Sequence, residues 1–150
     1  MVKKPVRTIK SGQGRILFVE DEKNLVDIYH DYFAAYGYEI SSTKDIEEAL
    51  AATEAGRPDL VLLDIIIPKE KKGVVDLISE QGYDYLAAVK KNSLTKDIPV
   101  VVFTNLDSDQ DRKKCESLGA AAYIFKRDCS PKEVLAAVEK IIGARRPISC

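Results

Sequence analysis

Residues 60–68 read Leu-Val-Leu-Leu-Asp-Ile-Ile-Ile-Pro, and this stretch constrains the fold more than any other. Seven of its nine residues are Leu, Ile or Val, with the carboxylate of Asp64 in their midst. The run is too short to cross a bilayer, which takes about 20 apolar residues as a helix. It fits a strand covered on both faces, as in a parallel sheet flanked by helices. A charge among such neighbours must be paired, bound to a cation or neutralised. Asp64 therefore belongs where the strand ends and a loop opens.

The rest of the chain supports that reading. At 150 residues it suits one domain with a core that needs no covalent staples. A formal net charge of -1 argues against binding nucleic acid as the main task, because that affinity rests on concentrated positive charge. Cys115, Cys129 and Cys150 form no closely spaced pair and read as reduced thiols in the cytoplasm. Residues 1–13 are basic and polar, a flexible arm without the apolar core of an export signal, and no membrane segment follows. Residues 144–150 read as a short tail. His30 is a lone solvated histidine, and Gly12-Gln-Gly14 lacks the lysine and hydroxyl of a phosphate loop.

Apolar runs at 15–19, 38–41, 59–64, 98–103 and 121–125 alternate with helical patterns at about 22–36, 45–54, 83–90, 107–118 and 130–143. On the first helix, Leu25, Ile28, Tyr29, Tyr32, Phe33 and Tyr36 share one face, and Gly37 supplies its stop. Thr43 is the expected cap of the second helix, and Gly56 and Pro58 end it. Ser130-Pro131-Lys132-Glu133 opens the last as a capping box with proline in the first turn. Strands alternating with helices predict an α/β fold: a doubly wound, five-stranded parallel sheet. The second strand is the most polar, which suits a sheet edge and favours the order 2-1-3-4-5.

Ligands of such sheets sit beyond the carboxyl ends of the strands, where the order reverses. Glu20 and Asp21, Asp64, Thr104 and Lys126 end the inner strands and should converge. Three close carboxylates raise each other's pKa unless a cation relieves them. Mg2+, a hard ion content with few protein ligands, would do so. Lys126 can pair with a carboxylate and later with a phosphoryl oxygen, and Thr104 offers a hydroxyl. The set suits phosphoryl transfer, with Asp64 as nucleophile.

The motifs Ile16-Leu-Phe-Val-Glu-Asp-Glu22, Leu60-Val-Leu-Leu-Asp64 through Pro68, Val100-Val-Val-Phe-Thr104 and Gly119-Ala-Ala-Ala-Tyr-Ile-Phe-Lys126 resemble, in this order, the receiver domains of bacterial response regulators. The resemblance covers about residues 15–143 and implies a flavodoxin-like receiver fold over 14–143, from which the order 2-1-3-4-5 is in part taken. By it, Glu20 and Asp21 hold Mg2+ with Asp64 and the backbone carbonyl of Ile66. Asp64 is the phosphoacceptor, Thr104 and Lys126 contact the phosphoryl group, and Tyr123 is the aromatic switch that changes rotamer with Thr104. The implied donor is a histidine kinase or a histidine phosphotransfer protein. The implied output is a downstream protein that binds the fourth helix, fifth strand and fifth helix.

Three departures stand out. Lys126 is followed by Arg127 where relatives commonly carry proline after a cis bond; a trans bond or a strained loop is expected. The glycine that relatives reach soon after the proline at Pro68 is best matched by Gly82, which leaves an insert at 69–81. Within it Val74, Val75, Leu77 and Ile78 have the spacing of a short amphipathic helix, either a flap on its own loop or a lid and docking element. Ile66 and Leu106 are apolar beside the phosphoacceptor, which predicts a long-lived phosphoryl group. With no effector domain legible after the last helix, the output is expected to be protein binding by a phosphoacceptor, not turnover by an enzyme.

Other readings have sequence tests. A pseudo-receiver that serves only as a protein-interaction module would not need the intact set Glu20, Asp21, Asp64, Thr104 and Lys126. A phosphatase would want a second acid just after Asp64, where Ile65, Ile66 and Ile67 stand. A flavin domain would want a hydroxyl-rich loop in place of Glu20-Asp21-Glu22.

Overall fold

The computed structural model describes residues 13–67, 69–71, 74–76 and 80–145, with side chains over 13–67 and 80–144; most of the expected arm and tail, and Cys150, lie outside the described residues. Along the chain run β1 (Gly14–Val19), α1 (Lys23–Ala34), β2 (Tyr38–Thr43), α2 (Ile46–Gly56), β3 (Leu60–Leu63), β4 (Lys69–Lys71), β5 (Val74–Asp76), α3 (Gly82–Lys91), β6 (Val100–Thr104), α4 (Asp109–Ser117), β7 (Ala122–Phe125) and α5 (Pro131–Arg145). Five strands form one parallel sheet in the order β2-β1-β3-β6-β7. Counted without the small hairpin, this is the expected 2-1-3-4-5.

The two-residue period of the strands divides the core. Ile16, Phe18, Leu60, Leu62, Val101 and Phe103 face α1 and α5, against Tyr29, Phe33, Val134, Val138 and Ile142. Leu17, Val19, Val61, Leu63, Val100 and Val102 face the other way, toward Ala49, Leu86, Val89 and Cys115. Right-handed crossovers on either side of β1 place helices on both faces and open a crevice beyond the ends of β1 and β3. Residues Leu60–Leu63 are wholly buried, as a strand covered on both faces requires.

Several boundaries differ from expectation for local reasons. Thr43 does not cap α2. It closes the β1–β2 ladder opposite Val19, its carbonyl accepts the Glu20 N–H at 2.9 Å, and Asp45 caps instead, accepting the Glu48 N–H at 3.1 Å. After α2 the left-handed turn falls on Arg57 (φ 43°), whose carbonyl accepts from the Arg15 guanidinium at 3.1 Å. Gly37 does take a positive φ, 87°, past α1. The Ser130–Glu133 box forms in both directions, and α5 runs past Gly143 to Arg145.

The insert is not helical where it is described. Lys69–Lys71 and Val74–Asp76 pair as an antiparallel hairpin, Lys69 opposite Asp76 and Lys71 opposite Val74. Adjacent β-branched Val74 and Val75 prefer an extended backbone. The spacing that suggested a helix relied on Leu77 and Ile78, which lie outside the described residues. Ile67 and Glu80 form a parallel bridge that closes the neck of the insert.

Candidate functional site

The ladder register brings the expected residues together. Val19 pairs with Leu63, so Glu20 and Asp64 emerge side by side one residue later. Thr104 pairs with Phe125, so Lys126 follows at the same level. The amide of Asp64 donates to the Val19 carbonyl at 3.0 Å, which fixes the first residue of the loop.

Glu20 is 3% exposed and Asp64 6% exposed, yet both carry carboxylates. Lys126 answers them: its ammonium donates to Oε1 of Glu20 in a short contact and to Oδ2 of Asp64 at 2.8 Å. Backbone amides take the remaining oxygens. Oε2 of Glu20 accepts from Asp21 N–H at 3.0 Å, and Oδ1 of Asp64 accepts from Ile66 N–H at 3.1 Å. Asp21 is exposed at the rim. One carboxylate oxygen from each of Glu20, Asp21 and Asp64 falls within 4.8 Å of the others. Burial, and then the Asp64 carboxylate, push the Glu20 pKa up to about 7 against the opposing pull of Lys126. Burial pulls the Lys126 pKa down, but the charges of Asp64 and Glu20 outweigh it and the net shift is upward. Three hard oxygens this close, of which only those of Glu20 and Asp64 have the Lys126 ammonium, fit a divalent cation such as Mg2+.

These groups line an open cleft of about 360 Å3, with Ile66 and Asn105 at its wall. Asn105 was not singled out in the sequence, although it directly follows Thr104 at a strand end. Thr104 is fully buried and is not part of that lining; its hydroxyl oxygen accepts the Leu106 N–H at 3.4 Å. Tyr123 is half-buried, and its hydroxyl makes a short hydrogen bond to the Leu106 carbonyl. Thr104 and Tyr123 thus meet at one residue, Leu106, and Arg112 lies 5.3 Å from the Tyr123 ring centre. Among the described residues no peptide bond is cis, so Lys126 and Arg127 are joined in trans and open a 3-10 turn, Lys126–Asp128. Lys126 reaches both carboxylates without the proline.

Gly82 explains how the site tolerates an insert. A Cβ on it would lie 2.4 Å from the Ile65 Cα and 2.6 Å from the Asp64 carbonyl oxygen. Its N–H donates to the Ile65 carbonyl at 2.9 Å. The start of α3 therefore rests directly on the backbone of Asp64 and Ile65, and the hairpin leaves and returns beside that contact.

A five-stranded doubly wound sheet with an acid pair, a central-strand aspartate and a lysine at one crevice is the architecture of a receiver module. The sequence model of the response regulator receiver domain matches residues 16–139, and the chain belongs to that family, the receivers of two-component signalling. It is 30% identical over 90% of its length to the phosphate regulon transcriptional regulatory protein PhoB of Escherichia coli (strain K12), and 33% identical over 87% to the probable transcriptional regulator ycf27 of Cyanophora paradoxa. It spans about half of each, 54% and 49%. Among solved structures, a CheY-like receiver domain protein from Methanospirillum hungatei JF-1 is similar, with TM-score 0.74 and 25% identity over 87% of this chain and 94% of that one. Receiver domains hold Mg2+ at an acidic cluster of the kind formed here by Glu20, Asp21 and Asp64.

Proposed function

We propose that the chain is a phosphoacceptor: Asp64 takes a phosphoryl group from a phosphohistidine on a histidine kinase or phosphotransfer protein. An Asp64 oxygen attacks phosphorus, the P–N bond breaks as the P–O bond forms, and imidazole leaves with a proton. The observation that carries this reading is the buried triad in which one ammonium, that of Lys126, serves both Glu20 and Asp64. When Asp64 becomes an acyl phosphate, Lys126 is already within reach to pair with a phosphoryl oxygen. Glu20, Asp21, Asp64 and the Ile66 carbonyl would hold Mg2+, which neutralises charge on the transferring group. Thr104 would turn its hydroxyl from the Leu106 amide toward the phosphoryl oxygens, and Tyr123, bonded to the same residue, would move with it.

The output would be a changed protein-binding surface on α4, β7 and α5, within a receiver unit of residues 14–143. This stretch is read as neither a turnover enzyme nor a nucleic-acid binder in itself. A cytoplasmic address accords with a described chain in which no helix is long and apolar enough to cross a membrane. The test is incubation with Mg2+ and phosphoramidate, a P–N phosphodonor, followed by intact-mass measurement. One phosphoryl adduct is expected, and none in Asp64→Asn. No adduct on the native protein would favour a receiver fold kept for protein interaction alone.

A further inference from the structure

Tyr83 follows Gly82, the glycine seated on the backbone of Asp64 and Ile65, in the first turn of α3. Its ring is 6% exposed. Its hydroxyl donates to Oδ1 of Asp111 on α4 at 2.6 Å. Asp111 is itself held in place. Its other oxygen accepts the Ser108 hydroxyl at 2.5 Å, and its N–H donates to the Ser108 oxygen at 3.0 Å, so the acceptor is part of the α4 cap. One turn on, the Lys114 ammonium lies 3.9 Å from the centre of the Tyr83 ring. The hydroxyls of Ser108 and Tyr83 hold the Asp111 carboxyl below its ordinary pKa, so the acceptor stays charged at neutral pH.

These contacts run without a gap from the phosphoacceptor loop to the helix expected to report its state. Ile65 is bonded to Gly82, Gly82 is followed by Tyr83, and Tyr83 is bonded to Asp111. The Thr104–Leu106–Tyr123 chain meets α4 where Arg112 lies over the Tyr123 ring, and it shares no hydrogen-bonding residue with this one. A buried tyrosine hydroxyl with a charged acceptor is a two-position contact, made or broken.

We propose that Tyr83 is a positioning residue for the phosphoacceptor loop and that its hydrogen bond to Asp111 latches α4 in the arrangement of the unphosphorylated protein. It rests on the proposed phosphorylation of Asp64 and gives that site a second connection to its output surface. The coupling is reciprocal: a latch that favours the unphosphorylated arrangement slows phosphorylation, and opening it speeds phosphorylation.

The experiment compares Tyr83→Phe, which keeps the ring, Asp111→Ala, the double variant, and Asp111→Asn, which keeps an acceptor. The initial rate of phosphorylation by phosphoramidate is expected to rise about fivefold or more in Tyr83→Phe and in Asp111→Ala. The double variant should be no faster than either, and Asp111→Asn should fall back toward the native rate. Thr53→Val serves as a control for simple destabilisation. It removes the 2.6 Å bond between Thr53 and Tyr85 on the α2 side of α3 and should lower the melting temperature without raising the rate. In parallel, amide spectra of unphosphorylated Asp111→Ala should show shifts at Gly82 and Ile66, well away from the substitution. Shifts confined to α4, or rates that rise equally in Thr53→Val, would overturn the latch. If the native protein takes no phosphoryl group, the phosphoacceptor reading fails, while the amide spectra still decide whether Asp111 reaches the loop.

Discussion

At the scale of the residue, Glu20 ties the stability of the fold to pH. Unfolded, its carboxyl ionises near 4.5; folded, burial and Asp64 hold its proton to about 7. Between those values the folded state binds the extra proton, so stability falls as pH rises from about 4.5 to 7. Urea midpoints of the metal-free protein should decline across that window, and Glu20→Gln should flatten the decline; parallel curves would refute the assignment. Gly82 allows an equally local prediction. Gly82→Ala places a Cβ 2.4 Å from the Ile65 Cα, an overpacking worth about 3 kcal/mol, read as a lowered urea midpoint. Ile66 is half-buried at the wall of the cleft and offers no side-chain hydrogen bond to orient water. The phosphoryl group should therefore be long-lived, and Ile66→Asn should shorten its lifetime severalfold in a label-decay assay. Loss from the native protein within seconds, with no phosphatase present, would contradict this.

At the scale of the element, the hairpin is an addition to a complete fold. Its neck is closed by the Ile67–Glu80 bridge, and the glycine that seats α3 comes after it. Deleting residues 70–79 should leave a cooperative melt and an unchanged far-ultraviolet spectrum, while altering phosphoryl lifetime or partner choice if the hairpin serves the site as a lid or docking element. An unchanged lifetime and unchanged partner choice would dispose of that role, and a loss of cooperativity would show that the hairpin is structural. The sequence misled most at this element. The apolar spacing of Val74, Val75, Leu77 and Ile78 satisfies a helical turn and a β-branched strand almost equally, and only pairing with Lys69–Lys71 separates them. Thr43 misled for a related reason. It resembles a helix cap in isolation, but the strand pairing with β1 claims it first.

At the scale of the molecule, the sheet and the charged core of its site were legible because both follow from strand ends. A buried parallel strand announces itself as an unbroken apolar run, and the first charged residue after it marks the crevice. Glu20, Asp21, Asp64 and Lys126 were found in that way, and the register then brought them together. Tyr83, Asn105 and Leu106 were not legible as a connected set. Their roles come from contacts between distant segments, such as Tyr83 with Asp111 and Tyr123 with Leu106, and no local pattern encodes such a meeting. The buried position of Thr104 is likewise a tertiary result: Thr104 is still the last residue within its strand, whereas Glu20, Asp64 and Lys126 each follow the end of theirs. The whole arrangement makes α4 the element met both by α3, through Tyr83, and by β7, through Tyr123.

All of this depends on Asp64 accepting a phosphoryl group with the help of the acids beside it. The most direct measurement is peptide-level mapping of the modified residue after incubation with phosphoramidate, with Mg2+ and again with a chelator. The account predicts a single acyl phosphate on Asp64, formed with Mg2+, lost with the chelator and absent from Asp64→Asn. Modification at another residue, or an unmodified Asp64 in the presence of Mg2+ and donor, would contradict it.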